Sequence, residues 1–88
     1  MVDLKESRAK IDAIDKQITD LFVQRMGVSS DVAEYKKAHG MQITVREREL
    51  AILDERAAQA GEEMGPYVRE LYEQIFIISK KLQAERNK

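Results

Sequence analysis

Arg25 stands where an apolar residue is expected. It belongs to the series Leu4, Ser7, Ile11, Ile14, Ile18, Leu21, Arg25, Val28, Val32, Tyr35, which advances in steps of three and four, as one face of an amphipathic helix does. Residues at i, i+7 and i+11 of a helix point within about 20° of one another, so Arg25, Val32 and Lys36 share a face, the two cations ~16 Å apart along the axis. Two long cationic arms set that way can converge on an anion held between them. The same facts also fit an arginine paired with a buried carboxylate and a lysine that favours the helix C-terminus.

A second set of chemically capable residues lies near the other end of the chain. Tyr72, Phe76, Ser79 and Gln83 fall at i, i+4, i+7 and i+11, so a hydroxyl and an amide flank an apolar stripe. Buried serines and glutamines are usually satisfied by other protein groups, and that reading stays open beside a binding one. Arg8 is on another face from Arg25 and ~25 Å away along the axis, too far to join it within one chain. If two copies of the helix run antiparallel, Arg8 of one reaches the middle of the other; otherwise it is an ordinary surface arginine. Glu47 follows Thr44 by three, where a capping box takes Glu, and both roles can hold for it. His39 sits beside Gly40 in a turn and faces solvent, and the tyrosines sit at spacings that suit packing.

The elements that must position these groups are helices. Asp3 and Glu6 have the form of a capping box, and the stripe that follows runs to Lys37-Ala38-His39-Gly40, a C-terminal cation with a glycine stop. That gives one helix of about 35 residues, unbroken at Gly27, because a helical glycine costs only about 1 kcal/mol against alanine. Thr44-Val45-Arg46-Glu47 opens a second, short helix through Leu50, Leu53 and Ala57, roughly residues 44 to 60. Pro66 suits the first turn of a third, whose stripe is Val68, Leu71, Ile75, Ile78 and Leu82. The fold class is all-α, with three helices of which one is long, one short and one medium, and the 88 residues are expected to form a single domain.

At 1.5 Å per residue the first helix is ~52 Å long, whereas a compact globule of this size is only about 30 Å across. It must overhang its own fold, and an exposed apolar stripe of that length calls for a second copy lying along it. Size argues the same way. The chain is 43% apolar and 35% charged, a globular profile, yet a domain this short usually needs a bridge, a metal or a partner chain. With no cysteine and one histidine, the partner chain is what remains, so an intertwined helical homodimer is expected. The net charge of −1 is spread along the chain, which leaves no footprint for nucleic acid or an anionic membrane. MVDLKES has neither a basic nor an apolar leader segment and no apolar run approaches a membrane span, so a cytoplasmic location is expected.

Taken in order, these residues resemble the all-α chorismate mutases, the type II class, across essentially the whole chain. S-R-A-K-I-D-A-I-D fits that family's arginine followed by an I-D-x-I-D-like segment. L-F-V-Q-R fits its L-L-x-x-R, and Val32-Ala33-Glu34-Tyr35-Lys36 fits its V-x-x-x-K. R-E-R-E-L fits the R-E pair at the start of the second helix, and Ser79 and Gln83 keep the family's spacing in the third.

The resemblance implies that Arg8, from the partner chain, and Arg25 bind carboxylates, and that Lys36 binds the ether oxygen and a carboxylate. It puts Glu47 before the substrate hydroxyl with Arg46 as its support, Ser79 near the ring carboxylate and Gln83 beside the ether oxygen. Val32, Ile43 and Phe76 shape an apolar wall. Ile43 departs from the pattern, since family members often carry an acidic residue there, and Phe76 is bulkier than the aliphatic residue often found.

The activity so implied is the rearrangement of chorismate to prephenate, a unimolecular pericyclic step needing no cofactor, metal, nucleophile or proton transfer. The protein's tasks are to hold the compact conformer and to stabilise negative charge on the departing ether oxygen. On the same scaffold an isochorismate-pyruvate lyase or an aminodeoxychorismate mutase is the alternative, and from another class a helical dimerisation module without catalysis.

Overall fold

Asp3 starts the first helix: its carboxylate accepts hydrogen bonds from the backbone N–H groups of Lys5 and Glu6 at 2.9 and 3.2 Å, satisfying donors that the first turn leaves without helical partners. The helix so begun, α1, runs Leu4–Ala38 without interruption through Gly27. Its end is built by Gly40, whose φ of 64° lets the chain turn back so that Met41 N–H reaches the Lys36 carbonyl at 2.7 Å and Gly40 N–H that of Lys37 at 3.3 Å. This paired closure suits a glycine in the left-handed region.

The computed structural model describes residues 2–42 and 45–86. Two further helices follow, α2 (Arg46–Ala60) and α3 (Gly65–Arg86), and no strand occurs among the described residues. The second helix opens later than the sequence suggests. Its N-cap is Val45, which offers no side-chain hydrogen bond, and Thr44, on which the capping-box reading rests, lies outside the described residues. Pro66 occupies the first turn of α3, where its missing N–H costs no helical hydrogen bond.

α2 and α3 form a hairpin closed at Gly61 and Gly65. A Cβ built on Gly65 would stand 3.2 Å from the Ala57 carbonyl oxygen, so glycine is what allows α3 to begin so close to α2. α1 packs on α3, and its buried residues, Met26, Ser30 and Ala33, all lie in its C-terminal half. The N-terminal half of α1 projects alone, giving a molecule of 57 × 27 × 15 Å with a radius of gyration of 16.3 Å, against ~12 Å for a compact chain of this length.

The apolar 3-4 stripe of α1 does not make the contact with α3. Leu4, Ile11, Ile14, Ile18, Leu21 and Val28 are each more than half exposed. The face that packs is rotated from that stripe by roughly 100° and carries Met26, Ser30 and Ala33. In α3 likewise, Leu71 and Ile78 are exposed while Phe76 and Ser79 are buried. Among the described residues no helix is long and apolar enough to cross a membrane.

Candidate functional site

Arg25, Ser29, Val32 and Lys36 occupy the border of α1 between the face packed on α3 and the exposed stripe, and there the helix lines a groove. Two adjoining cavities, about 140 and 360 Å³, share Arg25, Ser29, Lys36, Arg48 and Gln83, so they are parts of one depression. Val28 and Val32, which line the second, remain 62% and 47% exposed, leaving the groove open on the side where the α1 stripe emerges.

Each helix contributes polar groups. Arg25 is half-buried, and its guanidinium lies over the rings of Tyr72 and Phe76, 5.7 and 5.8 Å from their centroids, where the ring faces attract a cation. These two rings meet edge to face at 6.3 Å. An ion pair with a buried carboxylate, the structural alternative for Arg25, is not formed among the described residues. Lys36 is half-buried in the last turn of α1 and lines both cavities. From α3, Phe76 and Ser79 are buried at the groove floor, and Gln83 donates an amide hydrogen bond to Ser79 Oγ at 3.1 Å.

In the first turn of α2 the groove is lined by other residues than those singled out in the sequence. Glu47 is exposed, and neither it nor Arg46 lines the groove; the residues of this turn that line it are Arg48 and Glu49. R-E-R-E offers two R-E pairs, and a shift of two residues turns a side chain by roughly 200° about the helix axis. The signal for the right pair was present, because Glu49 precedes the buried Leu53 by four and so shares its face, whereas Glu47 does not. Val45, at the helix start, also lines the cavity, while Ile43 lies outside the described residues.

Glu49 has the groove's most perturbed electrostatics. Its side chain is only 12% exposed, with one oxygen 3.1 Å from Arg46 and the other 3.1 Å from Lys80 Nζ. Burial alone pushes its carboxyl up, but hydrogen bonds from Lys80 and then Arg46 outweigh that and hold it below the ordinary carboxylate range. Arg46 is itself anchored to Glu73 of α3 at 3.0 Å, and the hydrogen bonds it donates to Glu73 first and Glu49 second hold its guanidinium above the usual value.

The structure therefore brings together Arg25, Val32, Lys36, Phe76, Ser79 and Gln83 of the residues singled out in the sequence. It adds Ser29, Val45, Arg48, Glu49, Ile52 and Lys80, which sequence reasoning missed. Ser29 was findable, being four residues after Arg25 and seven before Lys36. Arg8 is exposed in the projecting half of α1 and is not among the residues that line the groove of its own chain. His39 is exposed, stacked on Tyr35 with ring centroids 4.0 Å apart.

Chemically, the groove is lined by four cations, Arg25, Lys36, Arg48 and Lys80, the last paired with Glu49, beside a neutral donor in Gln83 and an acceptor in Glu49. The family model for chorismate mutase type II matches residues 7–84. The chain is 38% identical over 60 residues to the T-protein of Haemophilus influenzae and 35% over 60 residues to that of Enterobacter agglomerans, in each case 68% of this chain and 16% of the relative. It is 45% identical over 51 residues to the chorismate mutase of Methanocaldococcus jannaschii, 58% of this chain and 52% of that protein. The chain thus spans about half of that mutase and a much smaller share of the T-proteins. No solved structure matches it with significance.

Proposed function

The chain belongs to the chorismate mutase type II family, and from that premise we propose that it is itself a cytoplasmic chorismate mutase, rearranging chorismate to prephenate for phenylalanine and tyrosine biosynthesis. The observation that carries the reading is the convergence of Arg25, Lys36, Arg48 and Gln83, from three helices, on one groove. A substrate with two carboxylates meets cations there, and among the described residues no carboxylate is ion-paired to Arg25 or Arg48.

In the reaction an ether C–O bond breaks as a C–C bond forms within one molecule, so catalysis consists of holding the compact conformer and stabilising charge on the ether oxygen. Lys36 and Gln83 are the donors to that oxygen. A primary amide has two N–H groups; one of Gln83's goes to Ser79, leaving the other for substrate. Arg25 grips a carboxylate, Ser79 lies by the ring carboxylate, and Arg48 takes the supporting place first read for Arg46. Glu49, in place of Glu47, accepts the substrate hydroxyl. Val32, Val45 and Phe76 form the apolar wall.

The site is completed by a second copy of the chain. The folded chain exposes 7322 Å², where a compact protein of its mass exposes roughly 5,300 Å², and the excess includes the α1 stripe that borders the groove. An antiparallel α1 covers that stripe and carries Arg8 to the open side of its neighbour's groove, where it meets the second carboxylate. The working unit is thus a homodimer of single-domain chains with two shared sites.

The deciding experiment is an ultraviolet assay of chorismate loss with the product identified as prephenate. No turnover, together with no binding of a bicyclic transition-state mimic, sinks the reading and leaves a helical dimerisation module. Isochorismate and aminodeoxychorismate belong in the same assay. Glu49, already neutralised by Arg46 and Lys80, suits a neutral hydroxyl better than an ammonium group.

A further inference from the structure

Glu49 is the one carboxylate among the described residues that lines the groove's inner cavity, and that cavity also holds Arg25 and Arg48. An acid placed among cations meant for substrate carboxylates is a hazard. A rotamer change that carried it onto either arginine would neutralise the group needed for binding, because opposite charges within a few ångströms attract strongly in a partly desolvated site.

Two contacts oppose that collapse. Arg46, one helical turn before Glu49, holds one oxygen, and Lys80, from α3, holds the other. Arg46 is already committed to Glu73 as well. Lys80 has no second carboxylate among the described residues. It follows Ser79 in α3 and lines the same cavity as Glu49, so its hydrogen bond ties the Glu49 carboxylate to α3 while Arg25 and Lys36 are carried by α1.

We infer that Lys80 is a positioning residue for the mutase site: by tethering Glu49 to α3 it keeps that carboxylate off the arginines that grip the substrate, while leaving its remaining lone pairs for the substrate hydroxyl. This rests on the chorismate mutase reading. The role is sequence-encoded by the spacing of Lys80 from Ser79 and Gln83, which puts a cation at the edge of the polar face of α3.

The test is a double-mutant cycle on the 88-residue protein, with chorismate as substrate. Lys80→Met should raise KM about tenfold, the order expected when a charge-assisted hydrogen bond is removed, with a smaller change in kcat. Lys80→Arg, which keeps the tether, should stay near wild type. The decisive arm is Lys80→Met combined with Glu49→Gln: a glutamine has no charge with which to capture an arginine, so the double variant should recover part of the KM lost in Lys80→Met.

A KM unchanged by Lys80→Met, or raised by the same factor with and without Glu49→Gln, overturns the inference while leaving the mutase activity standing. An inactive wild type overturns the functional reading instead. In that case the crystal structure of Lys80→Met still decides the tether: Glu49 moved to within ion-pair distance of Arg25 or Arg48 supports it, and Glu49 still on Arg46 in its original rotamer refutes it.

Discussion

A donor that meets a departing oxygen is effective when it is in place before the bond breaks, since it then needs no reorganisation in the transition state. On the proposed reading Lys36 is such a donor, carried on a backbone that is fixed locally. It belongs to the last turn of a long helix, and its carbonyl is fixed by Met41 N–H at 2.7 Å. Lys36→Ala should lower turnover ~10²- to 10³-fold while far-ultraviolet circular dichroism stays unchanged, and near-normal turnover rejects the assignment. Gln83 donates at any pH because its amide does not titrate in the working range. Gln83→Glu donates only when protonated, so its rate profile should move towards acid; a profile identical to wild type means that residue 83 does not touch the ether oxygen.

The two glutamates of α2 separate the sequence reading from the structural one. Glu49→Gln should weaken chorismate turnover by roughly tenfold or more, as loss of a charged hydrogen-bond acceptor does, whereas Glu47→Gln, exposed on the far side of the helix, should leave it within about twofold, as surface changes usually do. The reverse order would restore the 46–47 register. Stability carries a pH signature of the same residue. Because the folded-state pKa of Glu49 lies below the ordinary carboxyl value, its pairs with Lys80 and Arg46 contribute stability above the free-carboxyl pKa and lose it as pH falls through the lowered folded value. Thermal midpoints of wild type and Glu49→Gln should therefore converge in acid and separate towards neutrality.

At the scale of the helix, what the sequence discloses is length and ends. Asp3, Gly40, Gly61 and Pro66 mark termini by backbone chemistry that acts locally, and the structure has α1 ending at Ala38 and α3 opening at Gly65 as those residues require. Rotation is less legible, because it depends on what the helix meets. The 3-4 stripe of α1 identifies its most apolar face, yet the face that touches α3 is built around Met26, Ser30 and Ala33, which keep the helical spacing but include a serine and an alanine and so carry a weaker apolar signal. Groove residues on the border between the two faces could be named from Arg25 and Lys36, while Lys80 and Glu49 needed the packing of α2 on α3 to be seen as a pair. Two glycines give this a measurable form. A methyl group on Gly27 meets nothing within 4 Å, so Gly27→Ala should stabilise by roughly 0.5–1 kcal/mol through helix propensity. At Gly65 the methyl stands 3.2 Å from the Ala57 carbonyl, and forcing α2 and α3 apart should cost about 1 kcal/mol or more. Opposite shifts in thermal midpoint are expected, and a rise for both would mean that the hairpin is looser than its geometry.

At the scale of the molecule, the described residues bury little apolar surface on their own. Among the described residues only Met26, Ala33, Leu53 and Phe76 are buried apolar side chains, far short of the core that a domain of this size needs. The α1 stripe stays exposed, and in the proposed dimer a second antiparallel α1 both covers it and sets Arg8 at the neighbouring groove. Stability and activity should then share one dependence: unfolding midpoints that rise with protein concentration, and loss of both dimer and turnover when Ile14 and Ile18 are replaced by glutamate. The sharper test concerns the sharing of sites. Arg8→Ala removes a cation from the partner's groove, and Lys36→Ala one from its own, so each homodimer has two damaged sites. In a heterodimer of the two, one groove combines an intact Lys36 with an intact Arg8 from across the interface, and the other groove carries both lesions. After unfolding and refolding an equal mixture, about half the dimers should be mixed with one good site each, restoring roughly a quarter of wild-type activity. If instead each chain works alone, the mixture gives no more than the mean of its two parents, and Arg8 does not act across the interface.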